Sequence, residues 1–125
     1  MYRTLQHEAE IHKALYAFLQ SVGNVYDAVP ENPQFPFLVI GDPEVSEGEV
    51  KDVGNNYIVF PIHIFSRYRG KKEVYSLVQD VLQILPLLEA ISNLRVVIIG
   101  YDIFYQNEDD EVKHAIIRLK IKSFE

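Results

Sequence analysis

The sequence of 125 residues contains no cysteine. The chain can therefore form neither a disulfide framework nor a thiolate metal site, and it has no cysteine nucleophile. No apolar run approaches the roughly 20 residues that a membrane-spanning helix needs. The N-terminal stretch MYRTLQHEAEIHKAL scatters its charges and lacks the apolar core of a signal peptide. Together these absences make a soluble intracellular protein the default expectation.

Excess positive charge is also missing, since the formal net charge is −6. Binding to phosphates needs a basic surface, so the charge argues against sequence-specific nucleic acid as a partner. Hydrophobic residues make up 48% of the chain and charged residues 24%, which is an ordinary globular composition. The length suits one domain, and we expect it to span residues 1–125.

The strongest pattern lies at residues 57–88, which predict a strand, a turn and a helix. Residues 57–66 alternate with a period of two and are rich in β-branched and aromatic side chains. The turn is Arg67-Tyr68-Arg69-Gly70. Apolar residues at helical spacing follow it, namely Val74, Leu77, Val78, Val81, Leu82 and Leu85.

Periodicity and turn residues predict the other elements. These are a helix over 4–22 with Thr4 as its N-cap, a short edge strand over 25–29, and strands over 37–41, 94–105 and 112–124. Residues 37–41 should pair with 57–66, and 94–105 with 112–124 across an acidic turn at 107–111. Gly100 indicates a bulge or a close approach, and Pro61 an edge or a bulge. The predicted fold is α+β, a mostly antiparallel four-stranded sheet with two α-helices on one face and 25–29 as an optional edge strand.

Two helices on one face would leave the other face of this sheet uncovered. Strands 57–66 and 94–105 are apolar on both faces, so the second face would present residues such as Tyr57, Val59 and Phe65 to water. Exposed apolar patches of this kind mark contact surfaces. We therefore predict self-association.

The sequence offers little chemistry. It contains no G-x-S-x-G elbow, P-loop, dinucleotide fingerprint or H-E-x-x-H motif. His7 and His12 are five residues apart and do not share a helix face, His63 is expected to be a hydrogen-bonded packed histidine, and His114 is expected to pair with the acidic turn. We assign no catalytic, metal-binding or cofactor-binding residue.

Two charged segments are candidates for subunit or partner contact. One is the basic turn, with Arg67, Tyr68, Arg69, Lys71 and Lys72. The other is the acidic loop 42–56, with Glu44, Glu47, Glu49 and Asp52. Opposite charges on neighbouring copies would fix their relative orientation. The competing interpretation is that both segments are solvated loops.

Three stretches in order after the N-terminal helix resemble a known family. They are VYDAVP at 25–30, FPFLVIG at 35–41 and HIFSRYRGKKE at 63–73, of which the third is the most specific. They are similar to the tail completion proteins of phages with long, flexible, non-contractile tails, also called tail terminator or tail-to-head joining proteins. The resemblance covers nearly the whole chain.

The resemblance implies a non-enzymatic structural protein of a phage or prophage that needs no cofactor. Such a protein would form a ring of six copies, or stay monomeric until it meets the tube. The ring would cap the head-proximal end of the tail tube, binding the tail tube protein and the head-completion or connector protein. Its location would be the head–tail junction of the virion, after assembly in the bacterial cytoplasm. Two alternatives stay open: a small enzyme whose acidic loop binds a metal or cation, and a monomeric adaptor module.

Overall fold

A computed structural model describes residues 2–46, 57–67, 70–91, 94–105 and 112–123, with side chains described for 9–43, 58–67, 70–88 and 112–121. The elements in chain order are α1 (Tyr2–Leu19), β1 (Asn24–Tyr26), β2 (Phe37–Ile40), β3 (Glu44–Ser46), β4 (Tyr57–Ser66), α2 (Lys72–Ile91), β5 (Leu94–Tyr105) and β6 (Lys113–Ser123). None of the described helices has the length and apolarity to cross a membrane. The predicted α+β class is confirmed.

The described strands form one mixed sheet in the order β1-β2-β4-β6-β5, and β3 also pairs with β4. The predicted antiparallel pairs, β2 with β4 and β5 with β6, are confirmed. The optional edge strand exists as β1, but it is short and runs parallel to β2. It ends at Tyr26 because Pro30, Pro33 and Pro36 follow closely and cannot donate to a ladder.

Pro61 lies inside the central strand β4, opposite Arg118 of β6, so of the two predicted alternatives, an edge or a bulge, the edge was wrong. On its other side, the Gly41 amide donates to the Pro61 carbonyl, and β2 stops there because proline has no amide to return. Pairing resumes at β3, where Glu44 faces Val59. Ile40 and Glu44 are four residues apart in the sequence, whereas their partners on β4 are three residues apart. The interruption between β2 and β3 therefore contains one extra residue.

The bulge predicted at Gly100 is confirmed. Ile98 pairs with Leu119, whereas Gly100 already pairs with Arg118, so the register shifts between them. An extra residue in one strand reverses which residues point to each face. Beyond the bulge, even-numbered residues of β5 pair with even-numbered residues of β6.

Both helices pack on one face of the sheet, as predicted. Among the described side chains, the core contains the inward residues of β2, β4 and β6 together with the apolar stripes of α1 and α2. Its fully buried members include Leu15, Leu19, Leu38, Phe60, Ile62, Ile64, Val74, Val81, Leu88, Ile117 and Leu119. At the end of β4, the buried Ser66 hydroxyl donates to a carboxylate oxygen of Glu73 over 2.7 Å, which ties the strand to the first turn of α2.

Three predicted details were wrong. The first helix already includes Tyr2, so Thr4 is a helical residue and not an N-cap, since nothing in residues 2–3 opposes helical geometry. It also ends at Leu19, before the predicted boundary. α2 ends at Ile91, beyond the predicted stretch 57–88, and it contains Pro86 because Leu85 and Leu88 are both buried and keep the helix packed on either side of the proline. The acidic turn 107–111 lies outside the described residues.

Candidate functional site

The face of the sheet opposite the helices is the candidate site, and we call it the helix-free face. No described helix packs on it, because the inward residues of α1 and α2 join the core on the other side. Its members with described side chains are Asn24, Tyr26, Phe37, Val39, Val59, Pro61, His63, Phe65, His114, Ile116, Arg118 and Lys120. Val59 and Phe65 are half-buried, as the sequence predicted for an uncovered face. Tyr57 and the side chains of β5 lie outside the described set.

Aromatic rings form a continuous row across this face. The Phe37 ring stacks on Phe65 at 4.8 Å between centroids, and Phe65 stacks on His114 at 4.3 Å. Phe35 and Tyr26 pack edge-on against Phe37 at 4.9 and 5.7 Å. Phe37 is 1% exposed although none of the described helices covers it, because these neighbouring rings enclose it. The row is thus a preorganised apolar patch that crosses four neighbouring strands of the sheet, from β1 through β2 and β4 to β6.

Two histidines end the row, with His63 Nδ1 lying 2.9 Å from His114 Nε2. One nitrogen must donate and the other accept, so the contact requires at least one ring to be neutral. Burial and then the Arg118 charge lower the pKa of His63. Burial and then His63 lower the pKa of His114 to about 4. The pair is therefore uncharged near neutral pH.

The His63 ring is also held from the β2 side. An alanine Cβ built at Gly41 would lie 2.9 Å from His63 Nε2 and 2.8 Å from Pro61 Cγ. Only glycine leaves room for both neighbours. The packing between Gly41 and His114 fixes the position of the imidazole on the helix-free face.

The basic turn meets the same patch at its rim. Arg67 is exposed, and its guanidinium lies 4.4 Å from the centre of the Phe35 ring, a cation–π arrangement. Lys71 and Lys72 are exposed at the start of α2. Tyr68 and Arg69 lie outside the described residues. Of the basic candidates, the structure therefore connects Arg67 to the aromatic row.

An open groove of about 340 Å³ runs beside this turn. It is lined by Pro36, Lys72, Glu73, Ser76 and Leu77. Lys72 and Glu73 are neighbours in this lining, and their formal charges cancel. The groove continues from the basic turn toward α2, and its lining residues do not form a catalytic set.

The acidic candidates are not brought together in the described part of the chain. Glu44 is the first residue of β3, and its backbone faces Val59. Glu47, Glu49 and Asp52 lie outside the described residues. Among the described histidines, aspartates and glutamates, no group of three or more could hold a metal ion.

Sequence reasoning missed the contact between His63 and His114. The expectation that His63 is packed and hydrogen-bonded is confirmed, and His114 is its partner. The predicted pairing of His114 with the acidic turn falls on residues outside the described ones. The alternation placed both histidines on the second face. What it lacked was the strand order, which sets β4 beside β6 and brings together residues 51 positions apart.

These features define a small α+β protein with a row of aromatic rings on the helix-free face of its sheet. Residues 5–122 match the family model of the tail completion protein gp17, so this chain belongs to the tail completion protein family. It is a structural protein of phage tails, as the resemblance in the sequence implied.

A chain of the solved structure titled "Virion of native gene transfer agent (GTA) particle" has a similar fold. The TM-score is 0.53 at 17% sequence identity, and the match covers 87% of this chain and 83% of that chain. At that identity the likeness concerns the fold alone. No curated protein matches this chain.

Proposed function

We propose that this protein is a non-enzymatic, ring-forming tail completion protein. The ring caps the head-proximal end of the tail tube and joins it to the head connector within the virion. The observation that carries the proposal is the aromatic row on the helix-free face, which the described helices leave uncovered. The chain that carries this row belongs to the tail completion protein family. A surface of this kind serves contact with protein better than it serves catalysis.

Energetics support an interface on this face. Fully burying a large apolar side chain contributes about 1.5–3 kcal/mol. Phe35, Phe65 and Tyr26 are each only half-buried within one copy, so each retains part of that gain for association. Because neighbouring rings already fix their positions, little additional side-chain entropy is lost on binding. Aromatic residues held in this way are typical centres of protein interfaces.

The direct test is loss and restoration of joined particles. In a phage or prophage that encodes this chain, its gene is inactivated and the lysate is counted by electron microscopy. We expect separate heads and tails, with joining restored when the unaltered chain is supplied from a plasmid. Rings on the head-proximal ends of the restored tails complete the expected result. Joined, infectious particles in the absence of the gene would overturn the proposal.

The same assay separates the other two functions considered. A metal-dependent enzyme would lose its effect when lysates are treated with a chelator, and a monomeric adaptor would appear once per particle, not as a ring. Either outcome replaces the proposal.

The basic rim gives a second test. Arg67→Glu combined with Arg69→Glu should reduce joining in the complementation assay, because the rim would then repel an acidic partner. The single variant Arg67→Glu is compared with Lys13→Glu, an equal change of charge at an exposed position of α1. Both proteins should have the unaltered melting temperature. If all variants join heads to tails equally well, Arg67 is not part of the contact surface.

A further inference from the structure

Two titratable rings, His63 and His114, face each other at the β6 end of the aromatic row. Their facing nitrogens are 2.9 Å apart and the ring centroids 5.1 Å apart, a difference about as large as the two ring radii together. The nitrogens therefore point at each other along the line that joins the rings. Such a contact contains one hydrogen, which one nitrogen donates and the lone pair of the other accepts.

The number of protons on the pair decides whether this contact persists. A first added proton can occupy the outer nitrogen of one ring, so the hydrogen bond between the rings remains. A second added proton removes the lone pair between them, because both facing nitrogens then carry a hydrogen. Two positive charges at this distance also repel each other. The doubly protonated pair must therefore separate.

The neighbours of the pair set the order in which the rings take up protons. Burial and then Arg118 lower the pKa of His63. Burial and then His63 lower the pKa of His114 to about 4. The charge of His63 acts on His114 only when His63 already carries a proton. The second proton, which breaks the contact, is therefore the one that His114 binds.

Strands β2 and β4 bring no other titratable residue to the pair. β2 contains none, and Val39 is its partner for His63. Between residues 58 and 66 of β4, His63 is the only titratable residue, and its neighbours on the same face are Pro61 and Phe65. From this side the pair meets apolar groups alone.

The charged residues around the pair belong to β6 and β5. On β6, Arg118 lies on the same face as His114, whereas Lys113 alternates to the opposite face. On β5, the partner of His114 is Phe104, and Asp102 is the one carboxylate residue of that strand. Arg118 opposes protonation of the pair, and an ionised carboxylate at position 102 favours it.

His114 is the ring that moves when the pair separates. It is 9% exposed, whereas His63 is half-buried, so a charge on His114 loses more hydration and gains more by turning toward water. His63 is also held in place within the sheet. An alanine Cβ built at Gly41 would lie 2.9 Å from His63 Nε2, and Phe65 stacks on the His63 ring at 6.3 Å between centroids.

The stacked rings connect this movement to the rest of the row. His114 stacks on Phe65 at 4.3 Å, and Phe65 stacks on Phe37 at 4.8 Å. We propose that the His63–His114 pair is a pH-sensitive switch: when both rings are protonated, His114 turns away from Phe65 and the β6 end of the aromatic row opens. The opening occurs within a single copy. Its consequence, that acid releases contacts made through the row, rests on the proposed function.

NMR spectroscopy of the isotope-labelled chain between pH 7.5 and 3.5 tests the opening. The ring signals of Phe65 should shift together with those of the His114 imidazole, with a midpoint near pH 4, while the backbone amide signals of α1 and α2 keep their native positions. Constant Phe65 signals would overturn the proposal. Loss of the native amide signals at the same pH would also overturn it, because the chain would then unfold as a whole.

Three variants show which histidine is responsible. His114→Phe retains a ring beside Phe65, and His114→Gln retains a hydrogen-bonding partner for His63, but neither side chain takes up a proton in this range. Both should lack the Phe65 shift near pH 4. The control is His12→Gln, which removes a histidine of α1 on the other side of the sheet and should keep the shift. A shift that persists in both His114 variants would contradict the switch.

Joined particles test the consequence of the opening. Particles that carry each variant are held at pH 4, returned to pH 7 and counted by electron microscopy. Particles with the unaltered chain or His12→Gln should separate into heads and tails, and those with either His114 variant should stay joined. Equal losses from all four would overturn the release in acid. Failure of the proposed function is a different result, since gene inactivation would then leave particles joined at pH 7.

Discussion

His63 Nδ1 and His114 Nε2 lie 2.9 Å apart on adjacent strands, with the His114 ring stacked on Phe65. The contact lies at the β6 end of the aromatic row on the helix-free face. Protonating both rings would place two positive charges at hydrogen-bond distance, beside Arg118. The native fold therefore favours the neutral pair.

The pair makes stability depend on pH below the ordinary histidine pKa. Both pKa values are lowered from 6.5 on folding, that of His114 to about 4. Between pH 6.5 and 4 the unfolded chain therefore binds more protons at these two histidines than the native chain does. The free energy of unfolding consequently falls as the pH falls. Above pH 6.5 both states are neutral and this contribution is constant.

We expect His114→Phe to weaken that pH dependence, because phenylalanine keeps a ring beside Phe65 and cannot be protonated. Urea unfolding at pH 7 and pH 5 measures the effect. The drop in unfolding free energy between the two values should be smaller for His114→Phe than for the unaltered protein. A drop of the same size would show that the pair does not control it.

Gly41→Ala should destabilise the fold by about 1–3 kcal/mol, the usual cost of forcing an added methyl group into a packed site. The new Cβ would overlap Pro61 Cγ and His63 Nε2, both within 2.9 Å. Gly23→Ala is the matched control, since its nearest neighbour is Leu38 Cδ1 at 3.4 Å. It should be neutral or stabilise by about 0.4–1 kcal/mol. Denaturant midpoints in the reverse order would contradict the assignment of Gly41.

Phe60→Ala should lower the unfolding free energy by about 3–5 kcal/mol. The Phe60 side chain is 0% exposed at the centre of β4, and its ring packs against His12 of α1 at 6.4 Å. Tyr75→Ala provides the comparison, since Tyr75 is 51% exposed on α2 and should cost no more than about 0.5 kcal/mol. Thermal unfolding followed by circular dichroism distinguishes the two. Equal losses would place Phe60 outside the core.

Ser66→Ala should cost about 1–3 kcal/mol. It removes a buried hydroxyl that donates to Glu73 over 2.7 Å at the junction of β4 and α2. Ser76→Ala, at an exposed position of the same helix, should change stability by less than about 0.5 kcal/mol. Chemical denaturation of both variants is the measurement, and a Ser66→Ala midpoint equal to that of Ser76→Ala would count against the bond.

Local sequence determined the elements of this protein and their faces. The alternation in β4 and β6 and the helical stripe of α2 separate apolar from polar positions by periods of two and 3.6, and packing obeyed both patterns. Gly100 marked its bulge because a residue without a side chain is the natural place for an irregular pair. The motifs at 25–30, 35–41 and 63–73 indicated the protein family to which the chain belongs.

Tertiary structure decided what depends on residues distant in the chain. The order of the strands in the sheet set His63 against His114, stopped β2 opposite Pro61 and placed Arg67 over the Phe35 ring. Periodicity assigns a residue to one side of its own strand, but strand order and register choose its neighbours across the sheet, and those are set by the packing of the whole domain.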